Sequence, residues 1–137
     1  TFVGWEACLS ESKGVRISVR EEGAHVKYLG KYLDGVVNGM VLNFTYKKWN
    51  KSCLGHKEQC TYVIAVHEFG HAIGFAHEQN RPDAPGECQE MSQGSDGDTL
   101  LTPYDESSAM NYCNINYLNA GKLSDFDKEA VQYIYGE

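Results

Sequence analysis

The chain has 137 residues and a formal net charge of −7, from 19 acidic and 12 basic side chains. This length accommodates one domain with a hydrophobic core, and residues 1–137 contain no repeat or Pro/Gly-rich linker that would divide them. The acidic balance argues against a nucleic-acid-binding protein. No apolar run approaches the roughly 18 residues that a membrane-spanning helix requires.

Two segments in the first third of the chain have the alternation of strands. Val15, Ile17 and Val19 alternate with polar residues, and residues 39–46, GMVLNFTY, repeat the pattern. Alternation of this kind predicts strands with one buried face.

The run HEFGHAIGFAH at residues 67–77 carries the strongest chemical signal in the chain. A helix over residues 62–74 would project His67 and His71 from one face, where both imidazoles can bind the same ion. Gly74 can take a left-handed conformation that ends this helix with a sharp turn.

The turn would return His77 to the same point as a third ligand. Three neutral imidazoles leave one open position on a tetrahedral zinc ion, which is typical of a catalytic site. Glu68 follows the first histidine directly and is placed to accept a proton from zinc-bound water. The spacing therefore predicts a hydrolase.

The last predicted element is a closing helix within residues 123–136. Ser124 is its expected N-cap, acids occupy its first turn, and apolar residues share one face. Together with the two strands and the histidine helix, this gives an α+β architecture with a cleft across the middle.

The motif HExxHxxGxxH and the segment YDESSAMNY at residues 104–112 resemble the two halves of the metzincin signature. Within that group, HEFGHAIGFAHEQNRPD at residues 67–83 is similar to the zinc helix and turn of the astacin-like metallopeptidases. The resemblance implies a metzincin (zincin-like) fold: a small mixed β-sheet, a zinc-binding active-site helix, a Met-turn and a C-terminal helix. It also implies an initial strand and backing helix ahead of Thr1 in the complete domain.

The resemblance assigns roles to further residues. Met110 would be the turn methionine, packed beneath the metal without binding it, and Gly74 would shape the ligand turn. Tyr112 matches the family tyrosine that hydrogen-bonds the tetrahedral intermediate. Glu78 matches the residue that reaches toward the N-terminal amine or a group behind the ligands. The implied cofactor is one catalytic Zn²⁺.

Five cysteines, none at CxxC spacing, predict disulfides and an oxidising compartment. Cys53 and Cys60 flank a short polar loop and are the first expected pair. Cys88 and Cys113 form a second candidate pair, and pairing of Cys8 with Cys88 or Cys113 is the alternative.

Two triplets have the form of N-glycosylation acceptors, Asn43-Phe44-Thr45 and Asn50-Lys51-Ser52. Such triplets often occur by chance, and they matter only in a eukaryotic secretory pathway. The sequence alone does not show whether either triplet is used.

Residues 82–121 hold the whole negative balance, with seven acids and no Lys, Arg or His, while the rest carries 12 acids and 12 bases. In the metzincin layout this segment forms the lower lip of the cleft. A cleft of one sign attracts ligands of the other, which predicts a preference for Lys or Arg near the scissile bond. The alternative is that these acids only solvate a long loop.

The sequence therefore predicts a secreted zinc metalloendopeptidase that cleaves extended protein or peptide substrates and has no nucleic-acid partner and no membrane span. The alternative is a catalytically silent, metal-bound module that captures a protein partner. Glu68 argues against that alternative, because a pure binding site has no use for the carboxylate.

Overall fold

The computed structural model describes residues 2–136. Thr1, ahead of which an initial strand and helix are expected, lies outside them, as does Glu137. The regular elements are, in chain order, β1 (Ile17–Val19), β2 (His25–Val26), β3 (Met40–Leu42), α1 (Lys57–Ala72), α2 (Gly86–Gln89) and α3 (Asp125–Tyr135). Four short 3-10 helices connect them, Gly30–Leu33, Lys51–Gly55, Glu78–Asn80 and Leu118–Gly121. Across residues 2–136, no helix is both long and apolar enough to cross a membrane.

The three strands form one small mixed sheet in the order β1-β3-β2. β1 runs parallel to β3, with Ile17 opposite Met40, and β2 runs antiparallel to it, with His25 opposite Val41. All three residues of the central strand β3 are buried. The prediction of a single buried face for this segment is therefore wrong, because the central strand is covered on both faces.

β3 ends at Leu42 because the next residue begins a turn. The Asn43 side-chain oxygen accepts hydrogen bonds from the backbone N–H groups of Thr45 and Tyr46, each at 2.9 Å, and an asparagine that bonds the backbone just ahead favours a turn over a strand. Tyr46 then has a φ of 56°. Phe44, which the alternation placed on the buried face, is 46% exposed.

α1 is the element that holds the sheet and the histidines together. It begins at Lys57, ahead of the residue 62 that the pattern predicted. One buried cluster joins its end to the sheet, and a second joins its middle to the preceding loop. The first comprises Leu33, Met40, Leu42 and Ala72, and the second Tyr46, Cys53 and Ile64.

Two glycines in contact hold the turn after α1 close to the segment that follows β2. Gly74 has a φ of 104°, a backbone conformation that glycine adopts without strain. A Cβ at Gly30 would lie only 3.1 Å from the Gly74 Cα. The segment after β2 can therefore approach the ligand turn only because both positions lack side chains.

α3 closes the chain with Ser124 as its N-cap and a complete capping box, as the sequence predicted. The Tyr135 hydroxyl donates to the Ile73 carbonyl at 2.6 Å, which joins the end of α3 to the end of α1. Phe126 and Ile134 stay partly exposed and line an apolar cavity of about 610 Å³ between these helices.

Two disulfides are present, Cys53–Cys60 and Cys88–Cys113. The first joins the 3-10 helix before α1 to the first turn of α1. The second joins α2 to the residue after Tyr112. Within the described chain Cys8 is exposed and free, so the alternative pairings of Cys8 do not occur.

Candidate active site

Three histidine side chains converge at one point near the end of α1. His67 and His71 project from the helix and are almost fully buried, and His77 follows the Gly74 turn. The His77 Nε2 lies 3.2 Å from the Nε2 of His67 and 3.2 Å from that of His71. The structure thus brings together the three residues that the spacing selected, with their ligand atoms all within 4.8 Å of one another.

The other nitrogen of each ring determines which nitrogen faces the centre. Every Nδ1 lies within hydrogen-bond distance of a backbone carbonyl, which can only accept. Each Nδ1 therefore carries the hydrogen, and each Nε2 presents a lone pair. The three contacts are His67 to Ala109 at 2.9 Å, His71 to Phe75 at 2.7 Å and His77 to Gln93 at 2.8 Å.

Three lone pairs that point at one another cannot form hydrogen bonds among themselves, so the arrangement calls for a cation. Two nitrogens bound to zinc at about 2.0–2.1 Å in tetrahedral geometry lie about 3.3 Å apart. The two closest Nε2 separations, both 3.2 Å, agree with this spacing. The donor set and its geometry therefore fit a zinc ion.

Burial keeps the three rings in the neutral form that binds metal. It lowers the pKa of His67 to about 3 and that of His71 to about 4, and it also lowers the pKa of His77. Because charging a buried ring costs hydration energy, these side chains stay unprotonated at neutral pH.

Glu68 lies in the same cleft, and only 3% of its surface is exposed. Burial raises the pKa of its carboxyl group to about 8. A carboxylate removed from water binds a proton more tightly, so Glu68 has a proton affinity suited to general-base work near neutral pH.

The cleft above the histidines has a volume of about 300 Å³. Residues 24–29, which include β2, form one wall, and residues 93–95 form the other. None of the seven acids of residues 82–121 lines it, and Lys27 is its one Lys or Arg. Residues 93–95 of the segment 82–121 therefore line the cleft as expected, but the expectation of an acidic lining is wrong, because the seven acids lie elsewhere in the segment.

The ring of Tyr112 stands beside the histidines. Its centroid lies 4.9 Å from that of His67 and 5.1 Å from that of His77. Burial raises the pKa of the phenol, so the hydroxyl remains protonated and able to donate. The side chain of Gln79 accepts a hydrogen bond from the Tyr112 backbone N–H at 3.1 Å.

Met110 packs against the ligand helix at Gly70. A Cβ at Gly70 would overlap the Met110 sulfur, so this glycine makes room for the methionine. The Met110 carbonyl also accepts a hydrogen bond from the Glu78 N–H at 3.0 Å. Met110 thereby contacts both the helix and the segment of the third histidine.

Glu78 lines the apolar cavity and not the histidine cleft. Its carboxylate accepts a hydrogen bond from the Asp105 N–H at 2.8 Å and lies 3.4 Å from the Arg81 Nε. Burial raises its pKa to about 7. Its contacts among the described residues therefore join the third-histidine segment to the segment that carries Met110.

Several residues that the sequence did not single out position the site. The Asn80 side-chain oxygen accepts from the Gln93 backbone N–H at 3.1 Å, and its side-chain nitrogen donates to the Gln93 carbonyl at 2.9 Å. Asn80 thereby holds the carbonyl that orients His77. Gln79 positions Tyr112 through one bond, in which its side-chain oxygen accepts from the Tyr112 backbone N–H. Gly70 alone carried a signal, since a glycine inside a helix often marks a close approach.

Residues 46–88 match the model of the Astacin peptidase family. The matched segment contains the three histidines, Glu68 and Glu78, and it ends before Met110 and Tyr112.

Curated relatives match as well. The zinc metalloproteinase nas-36 of Haemonchus contortus is 44% identical over 69 residues, covering 40% of this chain and 11% of the relative. The proteins of the same name from Caenorhabditis briggsae and Caenorhabditis elegans are each 39% identical over 69 residues, with the same coverage. The chain thus spans 11% of the length of these relatives. No solved structure matches it significantly. The matched family model and these relatives support an astacin-like metallopeptidase domain in this chain.

Proposed function

We propose that this chain is the catalytic domain of a secreted zinc endopeptidase, with residues 1–137 belonging to that single domain. The observation that carries the proposal is the convergence of the Nε2 lone pairs of His67, His71 and His77 beside the buried carboxylate of Glu68. Three neutral nitrogen ligands leave an open position on zinc. A catalytically silent, metal-bound module would have no use for the Glu68 carboxylate.

A zinc ion held by the three histidines would supply a Lewis acid for the scissile carbonyl and would lower the pKa of a bound water. The three histidines keep their lone pairs on the ion because backbone carbonyls hold the opposite nitrogens. Glu68 takes the proton of the attacking water and later passes it to the leaving amine. Burial raises the pKa of the Glu68 carboxyl group, which strengthens its carboxylate as the acceptor of that proton.

Tyr112 donates a hydrogen bond from its hydroxyl group to the oxyanion of the tetrahedral intermediate. Its ring stands against two of the histidines, and its hydroxyl stays protonated because burial raises the pKa. Met110 acts as the turn methionine, which keeps the ligand helix and the third-histidine segment in place. Its contacts with Gly70 and Glu78 support that role.

An extended peptide binds along the free edge of β2. The Lys27 N–H donates to the Gly39 carbonyl at 2.8 Å, so this residue turns its backbone groups toward the segment of β3. Because successive residues of a strand turn these groups to opposite edges, those of Val26 face the free edge. Pairing through backbone groups depends little on sequence, which suits an endopeptidase.

Secretion is proposed from the two disulfides, which form and persist in oxidising compartments. The family match to residues 46–88 supports the same assignment.

The test is hydrolysis of denatured casein or gelatin, combined with metal analysis of the same preparation. We expect one zinc per chain, loss of hydrolysis on treatment with a chelator and recovery when zinc is restored. Glu68→Gln is the matched control, because it leaves the histidines in place and removes the proton acceptor. Zinc without hydrolysis would instead favour the metal-bound protein-binding module.

A further inference from the structure

The two acceptor triplets for N-linked glycans have different surroundings in the fold. Each has the required asparagine, with a hydroxyl residue two positions later and no proline between them. A glycan is bulky and hydrophilic, so its asparagine must reach solvent in the folded protein. The structure separates the two asparagines on this criterion.

Asn43 has no room for a glycan. Its side chain is 2% exposed, and both ends of its amide are engaged. The oxygen accepts from the turn that ends β3, and the nitrogen donates to the Glu22 carbonyl at 3.0 Å and the Glu21 carboxylate at 3.4 Å. A glycan on this nitrogen would remove a donor and displace the packed turn.

Asn50 presents its amide in a different way. It is only half-buried, and Lys51 and Ser52 beside it are both exposed. The Ser52 hydroxyl donates to the Asn50 side-chain oxygen at 2.6 Å, and the Asn50 side-chain nitrogen makes no hydrogen bond within residues 2–136. The amide nitrogen, which is the reacting atom, is therefore not needed to hold the fold.

The backbone at Asn50 adopts a conformation that suits asparagine. Its φ of 49° and ψ of 63° are left-handed, a conformation that asparagine tolerates better than most residues. The residue starts the 3-10 helix Lys51–Gly55, which the Cys53–Cys60 disulfide joins to α1. A glycan here would stand on a short, covalently anchored turn.

The position is compatible with an open catalytic cleft. Asn50 lines neither the histidine cleft nor the apolar cavity. It precedes α1, whereas His67 lies ten residues after the first residue of that helix, which is about 15 Å along a helix axis. A glycan at the start of α1 therefore leaves the path to the histidines free.

We propose that Asn50 carries an N-linked glycan and that Asn43 does not. In the reaction, the Asn50 side-chain nitrogen bonds to the anomeric carbon of an oligosaccharide. That carbon loses its bond to the diphosphate of a lipid carrier, the nitrogen loses one proton, and nothing is oxidised or reduced. The inference rests on the proposed secretory route, because the lipid-linked oligosaccharide is encountered there.

The test is expression of the full chain in a eukaryotic secretory host, followed by enzymatic glycan release that converts a glycosylated asparagine to aspartate. Peptide mass spectrometry then shows which asparagine was occupied. We expect one glycan, at Asn50. Ser52→Ala should abolish it, and Thr45→Ala, which disables the other triplet in the same way, should leave it unchanged.

Asn50→Gly is a second way to remove the acceptor, because glycine keeps the left-handed backbone, and it should give a secreted chain without a glycan. An unoccupied Asn50 in the wild-type chain, or a glycan on Asn43, would overturn the proposal. Occupancy is read by mass and not by turnover, so a glycosylated but inactive chain would count against the peptidase and leave this inference intact.

Discussion

The side chain of Gln79 accepts a hydrogen bond from the backbone N–H of Tyr112 at 3.1 Å, from a position with no exposed surface. Gln79 lies two residues after His77, so this bond ties the proposed oxyanion donor to the third histidine. The Gln79 side-chain nitrogen has no hydrogen-bond partner among the described residues. The polar role of the side chain is therefore to hold Tyr112.

Gln79→Met removes the acceptor while keeping a similar volume, and we expect it to lower kcat with KM nearly unchanged. The reason is that the Tyr112 hydroxyl acts in the transition state. Loss of one such hydrogen bond corresponds to a fall of roughly three- to tenfold. The effect should largely disappear in a Tyr112→Phe background. An equal loss in both backgrounds would make Gln79 a general structural residue.

Glu68→Gln should retain zinc and lose most turnover. The ligand set is untouched, and only the proton acceptor is removed, so we expect kcat to fall by roughly 10² or more. Metal content and steady-state kinetics on the same preparation measure both parts. Activity close to wild type would contradict the assignment of Glu68 as the base.

The histidine cluster could be predicted because its geometry is local. His67 and His71 lie four positions apart on the helix, and one glycine turn brings back His77, so the spacing alone specifies convergence. The closing helix was predictable for the same reason, since Ser124 and its capping box lie within one turn of chain.

Contacts between distant segments could not be predicted in this way. Gln79 and Tyr112 are 33 residues apart, and nothing in a single sequence pairs them. The strand predicted over residues 39–46 stops at Leu42, because the Asn43 side chain bonds the turn beyond it and overrides the alternation. The charged wall expected from residues 82–121 did not form, because net charge does not specify which loop residues face the cleft.

Gly70→Ala should destabilise the fold and disturb the metal site together. The added methyl group would overlap the Met110 sulfur, and overpacking of a buried contact typically costs about 1–3 kcal/mol. Chemical denaturation and zinc affinity are the measurements. Gly86→Ala is the matched control, because a Cβ there meets nothing within 4 Å. Equal stability of the two variants would show that Met110 moves aside without cost.

The metal-free protein should be most stable near pH 6.5. Burial lowers the pKa values of the three histidines below their ordinary 6.5. Below that pH the histidines of the unfolded chain bind protons that those of the folded chain do not bind, so the free energy of unfolding falls. Burial raises the pKa of Glu68 to about 8 and that of Glu78 to about 7. From the ordinary 4.5 of a glutamate upward, the folded chain therefore holds protons that the unfolded chain has lost. Above pH 6.5 the histidines no longer offset this difference, and stability falls again.

Urea denaturation of chelator-treated protein between pH 4.5 and pH 8 measures this profile. Glu68→Gln should flatten the alkaline side, because it removes the carboxyl group with the higher pKa. A free energy of unfolding that keeps rising from pH 6.5 to pH 8 in the wild-type protein would contradict these shifts.

Substrate charge provides the last prediction, and from the lining of the cleft we expect the opposite preference to the one predicted from composition. Lys27 lies on the cleft wall, and the seven acids of residues 82–121 do not line it. One hydrogen of the Lys27 ammonium bonds the Val37 carbonyl at 2.9 Å, which leaves two for a substrate carboxylate. We expect a preference for Asp or Glu near the scissile bond of roughly two- to fivefold in kcat/KM, the size of an exposed ion pair.

Lys27→Glu should reverse the preference, whereas Lys13→Glu, with the same change of net charge at an exposed site off the cleft, should preserve it. Because distant acids are screened beyond about 8 Å at physiological salt, a preference for Lys or Arg that persists in Lys27→Ala would show that the negative segment dominates after all.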